Sequence, residues 1–272
     1  MNFSELISLF SLPFMQRAII GGILLGILGG LLGGFVILRQ LSLFGNSLGH
    51  AAFLAVVIGA LLQLHPMIAL IGFLVLFGLG INYLIEKTNL GGDTILSIVI
   101  AGSVALGVIG FNFVPGYRGN LLSILFGDIL AISNLDLLVL VVLLAVYLSW
   151  LTVTLPKQIL LTLNADLAQT QGIPVQRYQY IFIIILSLAI ALTIRAVGIL
   201  LVNAFLVIPA ATAKLICHQF LQFLGVSALI GAMSGVIGMI LSGALNLPSG
   251  PSIVLVQLLV FLVVVFSSQR KF

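Results

Sequence analysis

Apolar and polar positions along this chain are patterned on the scale of a lipid bilayer. Long uncharged runs recur, each closed by a short polar or charged group, at residues 18–38, 43–64, 67–85, 94–114, 136–155, 178–194, 197–213, 221–244 and 252–267. A hydrocarbon layer about 30 Å thick takes roughly 20 helical residues to cross, so each run is read as a membrane-spanning helix. The predicted fold is all-α, a polytopic transmembrane helical bundle of eight or nine crossings. The count turns on the run at 197–213, which is short and interrupted by Pro209. Residues 3–15, within an N-terminal segment 1–17, are predicted to form an interfacial helix. The first sixteen residues hold Glu5 but no Lys or Arg, so they lack the positive start of a cleaved leader.

Spacing inside the runs adds a packing expectation. Gly22, Gly26, Gly30 and Gly34 follow at steps of four in the first run, with Gly29 and Gly33 alongside. Such a stripe lets another helix approach closely. Ala51, Ala55 and Gly59 suggest a matching face on the second crossing. The longest polar stretch, 156–179, leaves no room for a soluble unit, so residues 1–272 are read as one transmembrane domain.

Composition sharpens this picture. With 62% hydrophobic residues, ten basic and six acidic side chains, the chain cannot offer a water-facing surface for a soluble fold. The net charge of +4 comes from scattered residues with no basic run, which excludes a nucleic-acid partner and leaves the lipid bilayer as the surroundings. Basic residues instead report topology. With a cytoplasmic carboxyl terminus, Arg39, Lys87, Lys157, Arg177, Lys214, Arg270 and Lys271 face inward, and Arg17, Arg118 and Arg195 face outward. The amino terminus then lies outside, as nine crossings require. Cys217 is the only cysteine, so no intrachain disulfide or paired-cysteine zinc site can form.

Ionisable or strongly polar groups at membrane depth are costly and are candidate sites by default. Asn46 and His50 stand four residues apart near the start of the second crossing, on one helix face. A carboxamide oxygen and an imidazole nitrogen there can converge on one metal ion, and imidazole suits zinc, iron and manganese better than calcium or magnesium. The same pair also reads as a helix-entry Asn and an interfacial His bonded to a neighbouring carbonyl. His65, ahead of Pro66, and His218, among Lys214, Cys217 and Gln219, are read as solvated surface residues. Asp128, in LFGDILA, is read as a helix cap in the outer connection rather than part of a gate. No HExxH, GxGD or GxSxG motif occurs, which argues against an intramembrane enzyme, and no Gly-Lys pair marks a phosphate-binding loop. If transport is ATP-driven, hydrolysis belongs to another polypeptide.

Three stretches in order, GGFVILRQLSLFGNSLGHAAF at 33–53, RAVGILLVNAFLVIPAATAKL at 195–215 and LNLPSGPSIVLV at 245–256, resemble the zinc and manganese permease family of ATP-binding-cassette importers. That family shares its general fold with the siderophore and vitamin permeases. The resemblance implies that Asn46 and His50 take the places of the family's Asp and His in the translocation path. Asn46 departs from the pattern by replacing an anionic ligand with a neutral one, which weakens attraction for a dication. It further implies a homodimer, a cytoplasmic ATPase partner docking near residues 214–222 after IPAATA, with 165–179 flanking, and an external solute-binding protein. Pro209 is expected to break the helix there, and 214–222 to form a short helix along the cytoplasmic face.

The function so implied is ATP-driven import of manganese, zinc or iron across a bacterial inner membrane, with no bound cofactor and ATP held by the partner. The rivals are the same architecture moving a siderophore or corrinoid chelate, and an ATP-independent secondary transporter. The chelate needs no ion-ligating pair, and the secondary transporter calls for matched broken helices of which the sequence shows no repeat.

Overall fold

The computed structural model describes residues 11–88, 90–114 and 129–268. Every regular element among them is helical: α1 Pro13–Leu38, α2 Phe44–Leu61, α3 Pro66–Lys87, α4 Gly92–Phe111, a 3₁₀ turn Ile129–Ala131, α5 Asn134–Leu163, α6 Ala165–Thr170, α7 Val175–Ile216, α8 Phe220–Leu245 and α9 Ser249–Ser268. Gly198 divides α7, with φ 79° and ψ 165°. Only glycine takes that conformation without strain, so the bend falls there. Its halves Val175–Ile194 and Val197–Ile216 count separately, which makes nine helices among the described residues long and apolar enough to cross a membrane. The expected nine runs match them.

Three local expectations are corrected. The run that was expected to end at residue 155 continues through Pro156 to Leu163, because proline removes only one helical hydrogen bond and the apolar residues Ile159 to Leu161 extend the helix's buried side. Pro209 likewise sits inside α7, which runs on to Ile216, because one missing hydrogen bond does not end a long apolar helix. Residues 214–222 form no separate helix: they are the end of α7, a break at Cys217–Gln219, and the start of α8. Residues 1–10 of the expected interfacial helix lie outside the described residues, as do Arg118, Asp128, Arg270 and Lys271, while Pro13–Arg17 open α1 itself.

The chain divides into two compact units. One comprises the described residues of Met1–Ile37, Leu122–Val142 and Thr193–Phe272. Here the glycine stripe of α1 has two partners. A Cβ on Gly26 would overlap the backbone of Gly231 and Ala232 in α8, and one on Gly30 would lie 2.6 Å from the Ser227 carbonyl oxygen. On the neighbouring face, a Cβ on Gly33 would overlap the Leu206 carbonyl oxygen in α7. The Ser227 hydroxyl donates to the Gly30 carbonyl at 2.8 Å, which fixes the register of α1 against α8. The LNLPSGPS stretch is the turn between α8 and α9: Asn246 takes the left-handed conformation (φ 51°) that closes α8, and the Ser242 hydroxyl donates to the Leu247 carbonyl at 2.7 Å.

The other unit comprises the described residues of Leu38–Leu121 and Leu143–Leu192. Its helices interlock through side chains. Phe44 is fully buried beside Gly78, Ala51 and Ala55 are fully buried, and Gly59 faces Ala69 of α3, so the second small-residue stripe packs within this unit. The Phe53 ring lies tilted against Phe111 of α4, their centres 6.3 Å apart, and covers Gly107. At one end of the unit, the Lys157 ammonium donates to the Tyr178 hydroxyl (3.1 Å) and the Tyr180 hydroxyl donates to Glu86 (3.2 Å). These bonds gather the end of α3, the end of α5 and the start of α7, and with them Lys87, Lys157 and Arg177, three of the cations expected to face inward.

Candidate functional site

The α1–α2 connection sets the register of the residues singled out by the sequence. α1 ends at Leu38, Gln40 turns left-handed with φ 58°, and α2 begins at Phe44. The Ser47 hydroxyl donates to the Leu43 carbonyl at 2.9 Å, the same oxygen that accepts from the Ser47 amide, so the side chain is tied back onto its own helix. Phe44, Gly45, Ser47, Leu48 and Gly49 are all buried. Asn46 and His50 are the half-buried residues among them. Four residues apart, they stand one above the other on the same face of α2, about 5–6 Å between Cβ atoms. Phe53 continues that side toward α4.

Two neutral ligands do not saturate a metal ion, and no group of three or more His, Cys, Asp or Glu side chains able to hold one occurs among the described residues. His65 is exposed at the start of α3, where its carbonyl accepts from the Ala69 amide at 3.1 Å. His218 is exposed as well, and Cys217 is free, its thiol pushed up by burial. Among the described residues none of these three joins a group of His, Cys, Asp or Glu side chains able to hold a metal ion.

Arg39, which the sequence marks only as a topological charge and a motif position, is held by side chains of two other helices. Arg39 Nη2 donates to Gln158 Oε1 at 2.5 Å and Nε donates to Thr162 Oγ1 at 3.1 Å. Its guanidinium carbon lies 4.5 Å from the centre of the Phe182 ring in α7. Burial pushes the guanidinium down to about 10, an effect opposed by the Tyr147 phenol, and it stays protonated at neutral pH. Gln158 is fully buried and its Nε2 has no acceptor. Both acceptors lie in the stretch 156–179 that the sequence presents as a polar loop; the apolar ILLTL after Gln158 was the available signal that α5 goes on.

Beyond α5 lies α6. Asn164 caps it, its Oδ1 accepting from the Leu167 amide at 3.0 Å, and Gly172 ends the segment with φ 78°. Ala168 is its one buried residue, and Leu167 is 47% exposed.

The profile of the ABC 3 transport family matches residues 11–268. The chain is 32% identical over 253 residues to the high-affinity zinc uptake system membrane protein ZnuB of Haemophilus influenzae, covering 93% of this chain and 97% of that protein. It is 30% identical over 250 residues to the manganese transport system membrane protein MntC of Listeria monocytogenes, covering 92% of this chain and 89% of that protein. Among solved structures it is similar to PsaBC from Streptococcus pneumoniae in complex with Fab, with a TM-score of 0.83 and 30% identity over 97% of this chain and 95% of that one.

Proposed function

Because the chain belongs to the ABC 3 transport family, we propose that it is the permease subunit of an ATP-driven importer for a divalent transition-metal ion, manganese, zinc or iron. Its nine apolar helices and its relatives make it a multi-pass protein of the inner membrane, a transport subunit rather than an enzyme. In the proposed cycle two copies of the chain form the pathway, an external binding protein delivers the ion, and a cytoplasmic ATPase drives the alternation of access. The whole chain acts as one permease domain.

The observation that carries the reading is His50, an imidazole half-buried on a membrane helix of a chain whose full-length relatives are named for zinc and manganese transport. Imidazole accepts these ions, and Asn46 one turn away adds a neutral oxygen. The missing carboxylate makes the site weaker and quicker to release its ion. Docking of the ATPase is assigned to α6, a short capped helix standing exposed at the end of the unit that carries Lys157 and Arg177. Residues 214–222, expected to meet the ATPase as a short helix, supply no helix of their own.

The test is uptake of radiolabelled manganese and zinc by cells lacking this chain, restored with wild type, His50→Ala or Asn46→Asp at matched membrane abundance. Wild type is expected to restore uptake, His50→Ala to lower it by roughly tenfold or more through loss of a ligand, and Asn46→Asp to keep or raise it. Normal uptake by His50→Ala at normal abundance removes His50 from the path.

A further inference from the structure

The connection between α1 and α2 has little slack. Arg39 follows the last residue of α1, Gln40 holds a left-handed conformation that non-glycine residues seldom take, and Asn46 lies on the first turn of α2. The side chain of Arg39 is fixed from three sides. Gln158 and Thr162, one turn apart on α5, each accept from it, and the Phe182 ring of α7 lies under its plane. One acceptor is itself held, since the Thr162 hydroxyl donates to the Gln158 backbone carbonyl at 2.7 Å and so keeps its lone pairs toward Arg39. Two residues past Thr162, Asn164 caps α6. α6, the Arg39 clamp and the α2 face bearing Asn46 and His50 thus belong to one compact unit.

We infer that Arg39 is a positioning residue that makes the α1–α2 elbow follow the end of α5, so that movement of α6 reaches the face of α2 carrying Asn46 and His50. The inference rests on the proposed transport function and adds to it the route by which work enters the path. A planar fork bonded to two acceptors fixes direction as well as distance, and an aromatic ring beneath it fixes tilt. An apolar contact at the same place would hold the elbow close and let it slide. Gln158 Nε2, buried without an acceptor, leaves one donor of the clamp open to a second arrangement, as a contact that must change partners during a cycle requires.

The test uses the permease with its ATPase in proteoliposomes. A spin-label pair at Leu61→Cys in α2 and Asp166→Cys in α6, in a Cys217→Ser background, reports the α2–α6 distance with and without nucleotide, alongside ATP hydrolysis and metal moved per ATP. In wild type the distance is expected to shift on nucleotide binding. Arg39→Gln is expected to assemble and hydrolyse ATP while the shift collapses and metal moved per ATP falls about fivefold or more, the lower range of measured coupling between sites. Arg39→Met with Gln158→Leu, which replaces the buried polar pair by an apolar one and so preserves packing, is expected to uncouple in the same way. A wild-type shift and wild-type stoichiometry in that double variant overturn the inference. Should wild type respond to nucleotide through Arg39 yet move no manganese, zinc or iron, the clamp stands and the transport reading fails; should metal move with a shift indifferent to Arg39, the reverse holds.

Discussion

In the unit that holds α1, helices meet through glycine. α1 lies so close to α8 and to the second half of α7 that its Gly26, Gly30 and Gly33 have no room for a Cβ, and what stands in the way is backbone. In the unit that holds α2, helices meet through side chains: the Gly78 position is crowded by the Ser187 hydroxyl and the Phe44 ring, Gly107 by the Phe53 ring, and Arg39 reaches Gln158 and Thr162 through its full length. Backbone cannot rotate out of the way, whereas rings, hydroxyls and guanidinium groups exchange rotamers and partners. The first arrangement suits a part that keeps its shape. The second suits a part that changes it, and it is the one that contains Asn46, His50 and α6.

The sharpest way to break this contrast is to force a side chain into the glycine seam. Gly26→Leu drives four carbons into the backbone of Gly231 and Ala232. It is expected to cost about 3 kcal/mol or more, the upper part of the usual overpacking range, because no side chain can move aside. Membrane abundance and the melting temperature of the purified protein should both fall steeply. Unchanged values for Gly26→Leu show that α1 and α8 can separate without loss, and the rigid half of the comparison is then lost.

A smaller effect with the opposite sign tests whether that unit is dry. Gln257 in α9 is fully buried, with neither its Nε2 nor its Oε1 hydrogen-bonded. An unmet buried amide costs about 1–3 kcal/mol, so Gln257→Leu, nearly isosteric, should stabilise the protein by an amount of that order and raise its melting temperature. A lowered melting temperature means that a group outside this chain meets the amide, and the unit then carries a polar site of its own.

How much of this was legible depended on whether a residue's role follows from its neighbours in sequence. The nine helices were, since each must bridge the bilayer by itself and its ends fall where polar residues begin. The α1 stripe was legible for the same reason: glycine at steps of four says that something lies close, though only the structure names Gly231, Ser227 and Leu206 as what does. Arg39 was visible as a charge and a motif position, but its clamp joins residues more than a hundred positions apart, and no local pattern encodes that. Pro209 was expected to break its helix, and the fifth run to end just before Pro156; neither happens. Pro156 and Pro209 mark lost hydrogen bonds, and in a long apolar helix one lost bond does not end the element. That Asn46 and His50 share one face of a helix was legible from their spacing, because a helix places residues four apart on one face wherever it occurs.

The finest test sets two glycines of α4 against each other. A Cβ at Gly107 would come within 2.6 Å of the Phe53 ring, and one at Gly102 meets nothing within 4 Å. Gly107→Ala should cost about 1 kcal/mol, less than the seam in the other unit, because the ring can tilt away. Gly102→Ala should stabilise by about 0.5–1 kcal/mol through helix propensity if its face meets lipid. That face is apolar throughout, with Ile98 60% and Leu106 59% exposed on either side of Gly102. Lipid tolerates a methyl group there, and a second copy of the chain packed against the stripe would not. A Gly102→Ala protein that melts higher and keeps its oligomeric state assigns the face to lipid. One that melts lower and dissociates places the partner subunit against α4, and the helix that supports α2 through Phe53 then also carries the contact between copies.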